Sequence, residues 1–192
     1  MIYMIRHGQT ALNLARILQG QRDEPLSDVG RAQAVEAARR FREMGVVFDL
    51  VYSSPLCRAS ETARIIAGEQ AVIRTDPRLQ EIDCGPWEGT DYRDPPEVLR
   101  LYFDDPGHAP VPPGMESPES ILRRTGAFFE ELRPQFKGKS VLIATHAIAM
   151  KGALVSLTPA AGGRFWSEHI GNCAVYRFDV ENGRYTPPEK VM

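Results

Sequence analysis

The chain has 192 residues, a length that fits one domain able to bury a full core without disulfides or a structural metal. Hydrophobic residues make up 43% and charged residues 25%, which excludes a disordered chain, and no apolar stretch approaches the length needed to span a membrane. The net charge of -2 gives no general attraction to nucleic acid or to an anionic membrane, so an anion site has to be a local cluster of positive groups.

Residues 2–5 are uniformly apolar and read as a short buried strand, with Arg6-His7-Gly8 at its C-terminal end. Residues 27–44 read as a helix: Ser27 or Asp28 caps it, the alanines and Phe41 repeat at helical spacing, and Gly45 ends it. A second apolar run at 48–52 is stopped by Ser53-Ser54-Pro55, and 56–67 is again helical, with Pro55 at its first turn. A short strand is expected at 72–74. From 85 to 118 the chain is rich in proline, glycine and aspartate, and only one short helix is expected there, near 96–103. Residues 119–133 form the third clear helix. Residues 140–145 are the most clearly buried strand, His146 sits at its end, and 147–157 read as a helix. An alternating strand at 173–180 leads to a turn at Asn182-Gly183 and a hairpin partner.

Strands alternating with helices predict a three-layer α/β/α sandwich with a mostly parallel sheet. No repeat or linker divides the chain, so a single domain over 1–192 is expected, with 85–118 as an irregular lid insertion. Cys57, Cys84 and Cys173 are far apart and odd in number, which points to free thiols rather than a disulfide framework or zinc site. The N-terminal apolar run is too short for a signal peptide, and the expected location is cytoplasmic.

In an open α/β sheet, ligands bind beyond the C-terminal ends of the strands. Arg6 and His7 fall there, as do Arg58, in the first turn of the helix after the second strand, and His146. Singly, each has an ordinary reading: a packed histidine, a solvated arginine. Together they fit phosphoryl transfer, which needs positive groups around three equatorial oxygens. Two arginines supply planar forks, a protonated His146 adds a donor, and a neutral His7 attacks, its lone pair kept free by the flanking charges. A carboxylic acid such as Glu81 protonates the leaving alkoxide, although the residues alone do not rank Glu81 above its carboxylate neighbours. No metal or other cofactor is required, and the expected partner is a small-molecule phosphate ester. The four histidines show no metal-binding spacing.

Arg6-His7-Gly8-Gln9-Thr10 resembles the signature of the histidine phosphatase superfamily, the phosphoglycerate-mutase-like proteins. The likeness continues through Asn13, Gln19-Gly20, Asp23, Pro25-Leu26-Ser27, Gly30 and Gln33-Ala34. It resumes at Ser53-Ser54-Pro55-Leu56, Arg58-Ala59 and Glu61-Thr62-Ala63, then at Leu79, Glu81, Gly85, Trp87-Glu88-Gly89 and Thr145-His146. The resemblance implies a phosphoglycerate-mutase-like fold and a nucleophilic, phosphorylated His7. It implies a phosphate pocket of Arg6, Arg58 and His146, with Glu81 as proton donor. Asn13 is then expected near the transferred group, with Gln19 and Gly20 at the pocket rim. Ala147 departs from the family, which usually has glycine after the second histidine; its N–H can still reach phosphate, and the methyl group is expected to alter substrate fit.

The resemblance leaves phosphatase and mutase both open. Mutases of the phosphoglycerate type carry a longer, basic insertion. Here the corresponding region is short and holds Asp91, Asp94, Glu97, Asp104, Asp105 and Glu116 against Arg93 and Arg100. An acidic lid is poorly suited to a second anionic group, which favours a phosphatase and substrates that are neutral or cationic away from their phosphate. The short chain and Trp87-Glu88-Gly89 also resemble the α-ribazole phosphatase branch. A non-catalytic binding module and a metal hydrolase are the remaining alternatives. Trp166 and His169, before the last strand, read as ordinary packing and surface residues.

Overall fold

The computed structural model describes residues 1–161 and 163–192. In chain order it contains β1 (Ile2–Arg6), α1 (Ala11–Ala15), α2 (Asp28–Glu43), β2 (Leu50–Ser53), α3 (Cys57–Ala67) and β3 (Ile73–Thr75). There follow α4 (Glu97–Asp104), α5 (Pro118–Phe136), β4 (Val141–Thr145), α6 (Ala147–Leu157), β5 (Val175–Phe178), β6 (Val180–Glu181), β7 (Arg184–Tyr185) and β8 (Glu189–Lys190).

The central sheet has the order β3-β2-β4-β1-β5-β8. Its first four strands run parallel, while β5 is antiparallel to β1 and β8 antiparallel to β5. The uniform apolarity of β1 and β4 follows from this position. Side chains alternate between the faces of a strand, and both faces are covered by helices. Ile2, Met4, Val141 and Ile143 enter one core with Phe128, Phe129 and Met150 of α5 and α6. Tyr3, Ile5, Leu142 and Ala144 enter the other with Ala37, Phe41 and Ala63 of α2 and α3. The result is the α/β/α sandwich that the alternation predicts.

Three elements differ from the sequence expectation. The five-residue α1 is too short to show a period; a reciprocal Thr10–Asn13 capping box holds it. Helix α5 runs past Pro134 to Phe136, because burying the Phe136 ring among Tyr52, Phe128 and Phe129 rewards one further turn. The segment expected as one strand at 173–180 is split: β5 joins the main sheet, and β6 and β7 form a separate hairpin. Asn182 and Gly183, both with positive φ, turn that hairpin.

Chain direction across the sheet reverses between β1 and β4, which are neighbours. The crevice beyond their C-terminal ends is the expected ligand site of such a sheet. Gly8 and Gly30 make this corner tight: a Cβ on Gly8 would run into the Gly30 carbonyl, and a Cβ on Gly30 into the backbone of Gln9. Gly30→Ala is therefore expected to cost about 1–3 kcal/mol of stability. A urea denaturation midpoint equal to the wild-type value would contradict this. Among the described residues, no helix is long and apolar enough to cross a membrane.

Candidate active site

His7 is held by the sheet ladder, its N–H donating to the Thr145 carbonyl at 3.0 Å. The ring is buried, and Nδ1 lies 2.7 Å from the Gly8 carbonyl oxygen. A carbonyl only accepts, so Nδ1 carries the hydrogen and the lone pair sits on Nε2. Burial first, then Arg6 and Arg58, hold the His7 pKa well below the usual histidine value of 6.5. The Gly8 N–H is anchored by Thr62 Oγ1 at 3.1 Å.

Two guanidiniums frame the pocket. Arg58, at the start of α3, is only 1% exposed. Its Nη1 and Nη2 donate to the carbonyls of Arg22 and Gly20 at 2.6 and 2.8 Å. Arg6 Nη1 donates to the Ile170 carbonyl at 2.6 Å. In both arginines Nε is buried with no protein partner. Such donors are costly unless something accepts from them, so both guanidiniums are fixed at one edge and unsatisfied at the other.

His146 lies beside His7, with ring centroids 5.0 Å apart. Sequence reasoning expects it protonated, and the structure corrects that. Burial, followed by Arg58, His7 and Arg6, lowers its pKa well below 6.5. The neutral ring still offers a donor. Ser54 Oγ accepts from the Leu56 N–H at 3.3 Å and lies 2.8 Å from His146 Nε2, a contact in which either group can donate. Nδ1 of the ring is buried with no protein partner.

Both histidines are kept neutral by the fold and regain ordinary proton affinity on unfolding. Below pH 6.5 the unfolded chain therefore binds protons that the folded one refuses. Stability is fully present above that pH and is lost as pH falls toward the depressed folded values. Tm is expected to drop between pH 7 and pH 5, and an unchanged Tm over that window would contradict the assigned ring states.

Glu81 is buried. Its Oε1 accepts from the N–H groups of Ile82, Ile148 and Ala149 at 3.0, 3.1 and 3.1 Å. The last two are orphan donors of the first turn of α6. Oε2 has one longer contact, to Ile148 N at 3.3 Å. The Glu81 carbonyl accepts from Gln21 and from Arg124 Nη2. Arg124 also donates to the carbonyls of Arg78 and Gln80 and pairs with Glu116 at 2.8 Å. Arg124 thus clasps the loop that presents Glu81. Arg124→Met is expected to lower kcat for alkyl phosphates by roughly ten- to a hundredfold through misplacement of that carboxyl. Equal first-turnover losses for alkyl and nitrophenyl phosphates would show that the damage lies elsewhere.

These groups converge on one cavity of about 550 Å³, which Arg6, His7, Asn13, Gln19, Gly20, Arg58, Glu81 and Ala147 all line. His146 stands behind it with Ser54. Asn13 Oδ1 accepts from the Thr10 N–H and from Asn172, which leaves its amide donors for a ligand. Gln19 Oε1 accepts from Thr10 Oγ1, with the same consequence for its NH₂ group. Ala147 lines the cavity as the first residue of α6. Trp166 packs against a core cluster, whereas exposed His169 stands at the cavity rim, contrary to its reading as ordinary surface. Ser54, Thr62, Asn172 and Arg124 are supports that sequence reasoning missed, since no spacing links them to the groups they hold.

The roof comes from 89–104. Gly89 N and Leu18 N bond across to Leu18 O and Thr90 O at 2.8 Å each, and Tyr92 N bonds to Arg16 O at 3.0 Å. The acidity expected there is spent within the segment or directed away. Asp91 pairs with Arg93, Asp105 with His108, Glu97 with Arg100 and Glu116 with Arg124. Of the six acids only Asp104 lines the cavity, with Arg93 and Arg100. Among the described residues, no group of three or more His, Cys, Asp or Glu side chains is placed to hold a metal. The cysteines are free, and burial pushes the Cys173 thiol up to about 12.

The sequence model of the histidine phosphatase superfamily, branch 1, matches residues 2–189. A 2,3-bisphosphoglycerate-dependent phosphoglycerate mutase from Parvibaculum lavamentivorans is 31% identical, covering 95% of this chain and 92% of that protein. Among solved structures, a mutant phosphoserine phosphatase from Entamoeba histolytica in complex with phosphoserine superposes with a TM-score of 0.83 at 25% identity. That match covers 100% of this chain and 94% of the other. A putative alpha-ribazole-5′-P phosphatase from Escherichia coli has a TM-score of 0.83 at 26% identity, covering 96% and 92% of the two chains. Matches thus span nearly the whole chain and include both phosphatases and mutases: this chain belongs to the histidine phosphatase superfamily.

Proposed function

We propose that the protein is a metal-independent phosphatase of small phosphomonoesters that works through a phosphohistidine on His7. The observation that carries this reading is the His7 ring itself: held below its usual pKa, with Nδ1 on the Gly8 carbonyl and Nε2 left free, beside two arginines whose buried Nε atoms have no protein partner. Nε2 attacks phosphorus, the bond to the leaving oxygen breaks, and Glu81 passes its proton to that oxygen. Arg6, Arg58, the Nδ1–H of His146 and the amides of Asn13 and Gln19 take the charge on the equatorial oxygens. Glu81, now ionised, then accepts a proton from water, which attacks the phosphohistidine and releases phosphate. No step needs a metal, because cationic side chains supply the charge.

A mutase needs a second anion holder for the carboxylate of its substrate. The rim arginines are poor candidates, since Arg93 is bound to Asp91 and Arg100 lies 3.8 Å from Glu97. The mutase reading keeps support from the identity to a phosphoglycerate mutase, and an α-ribazole phosphatase is the specific activity that a solved relative favours. The test is phosphate release from para-nitrophenyl phosphate and natural phosphomonoesters in EDTA, with acid-quench trapping of the phosphoenzyme. Metal-independent release with a trapped phosphohistidine is expected. Interconversion of phosphoglycerates without phosphate release would establish the mutase, activity lost with EDTA the metal hydrolase, and neither binding nor turnover a non-catalytic module.

A further inference from the structure

The phosphate pocket occupies only the floor of the cavity. Its volume of about 550 Å³ falls among sites that enclose whole small molecules, about 300–1,000 Å³. The walls above the floor are Ile17, Leu18, Ile82, Tyr92, Phe103 and Ile148. This apolar wall begins at the proton donor. Ile82 directly follows Glu81, and the Ile148 N–H bonds to the Glu81 carboxylate. An oxygen that takes its proton from Glu81 therefore has its carbon skeleton in the cavity that Ile82 and Ile148 line. At the mouth Arg93 is hydrogen-bonded to Asp91, Arg100 lies 3.8 Å from Glu97, and Asp104 stands beside them. A carboxylate on the leaving group would meet these acids or lie against hydrocarbon, and both cost free energy.

We propose that the alcohol released from this site has an uncharged hydrophobic body, aromatic or alkyl, seated on the wall formed by Ile17, Leu18, Ile82, Tyr92, Phe103 and Ile148. This deepens the phosphatase reading and rests on it. It also replaces the expectation drawn from lid acidity, because most of the acids that motivated that expectation do not face the cavity.

The test is kcat/KM, read as phosphate release, for ethyl, butyl and hexyl phosphate, whose leaving groups have nearly the same basicity. Values are expected to rise about threefold per added methylene, the gain for burying that much hydrocarbon. Hexyl chains ending in a carboxylate or an ammonium are expected at least tenfold below hexyl phosphate itself. Phe103→Ala is expected to shrink the hexyl-to-ethyl ratio. A flat series, or a charged chain turned over fastest, overturns the proposal while leaving the phosphatase reading intact. No phosphate release from any ester overturns the phosphatase reading, and the proposal with it.

Discussion

His7→Ala is expected to lose kcat by a factor on the order of 10⁴ or more, the scale seen when a covalent nucleophile is removed. Nothing nearby can replace it. His146 Nε2 is engaged by the Ser54 hydroxyl at 2.8 Å, and its Nδ1 is buried. Burial pushes the Cys173 thiol away from its reactive form. Binding should survive, because Arg6 and Arg58 are held by the carbonyls of Ile170, Gly20 and Arg22 and not by His7. The variant should therefore bind phosphate within about tenfold of wild type, since those charge-assisted contacts remain. Calorimetry with inorganic phosphate and a stopped turnover assay separate the two effects. Retention of a tenth of the wild-type activity would mean that another group is the nucleophile.

Glu81→Gln is expected to lower steady-state kcat by about 10² to 10⁴, the range for a lost general acid and base. The amide is nearly isosteric. Its oxygen can take the three N–H groups that Oε1 now takes, and its nitrogen meets only the longer Ile148 contact at 3.3 Å. The two chemical steps should respond differently. With para-nitrophenyl phosphate the alcohol leaves without a proton, so a burst of nitrophenol near the wild-type rate should precede slow turnover. With an alkyl phosphate, even the first turnover should be slow. A variant with no burst, or with equal first-turnover losses for both esters, would remove Glu81 from the proton-donor role.

The sheet and its helices were legible because their signals are local. Residues 2–5 and 141–144 are apolar throughout, a pattern that burial on two faces requires. Helix α1 was missed because five residues carry no period, and the end of α5 because Pro134 stops a helix in isolation but not when Phe136 has a core to enter. In the site, His7 and His146 were legible from strand ends. Arg58 was legible only as a position beyond the second strand, and Glu81 was not ranked above its carboxylate neighbours apart from the family likeness. An arginine that is 1% exposed looks the same in sequence as a solvated one, and what distinguishes Glu81 is the first turn of α6, 67 residues further on. Electrostatics was the least legible layer. Counting charges made the roof acidic, whereas Asp91 and Glu116 are paired with Arg93 and Arg124; His146 was expected protonated, whereas burial, followed by the two arginines and His7, lowers its pKa.

The roof is fastened by the backbone bonds of 16–18 to 89–92, by the Glu116 carboxylate on Arg124 and the Asp83 N–H, and by Leu99 and Tyr102, which are buried against Ile82, Cys84 and Ile121. None of these fastenings involves His7, Arg6 or Arg58. Apart from Leu99 and Tyr102, the stretch can therefore change its cavity-facing side chains without a direct contact to His7, Arg6 or Arg58. Relatives that share the phosphate-binding floor can thereby diverge in substrate through one exchangeable insert, and grafting that insert between them is a direct route to new specificities.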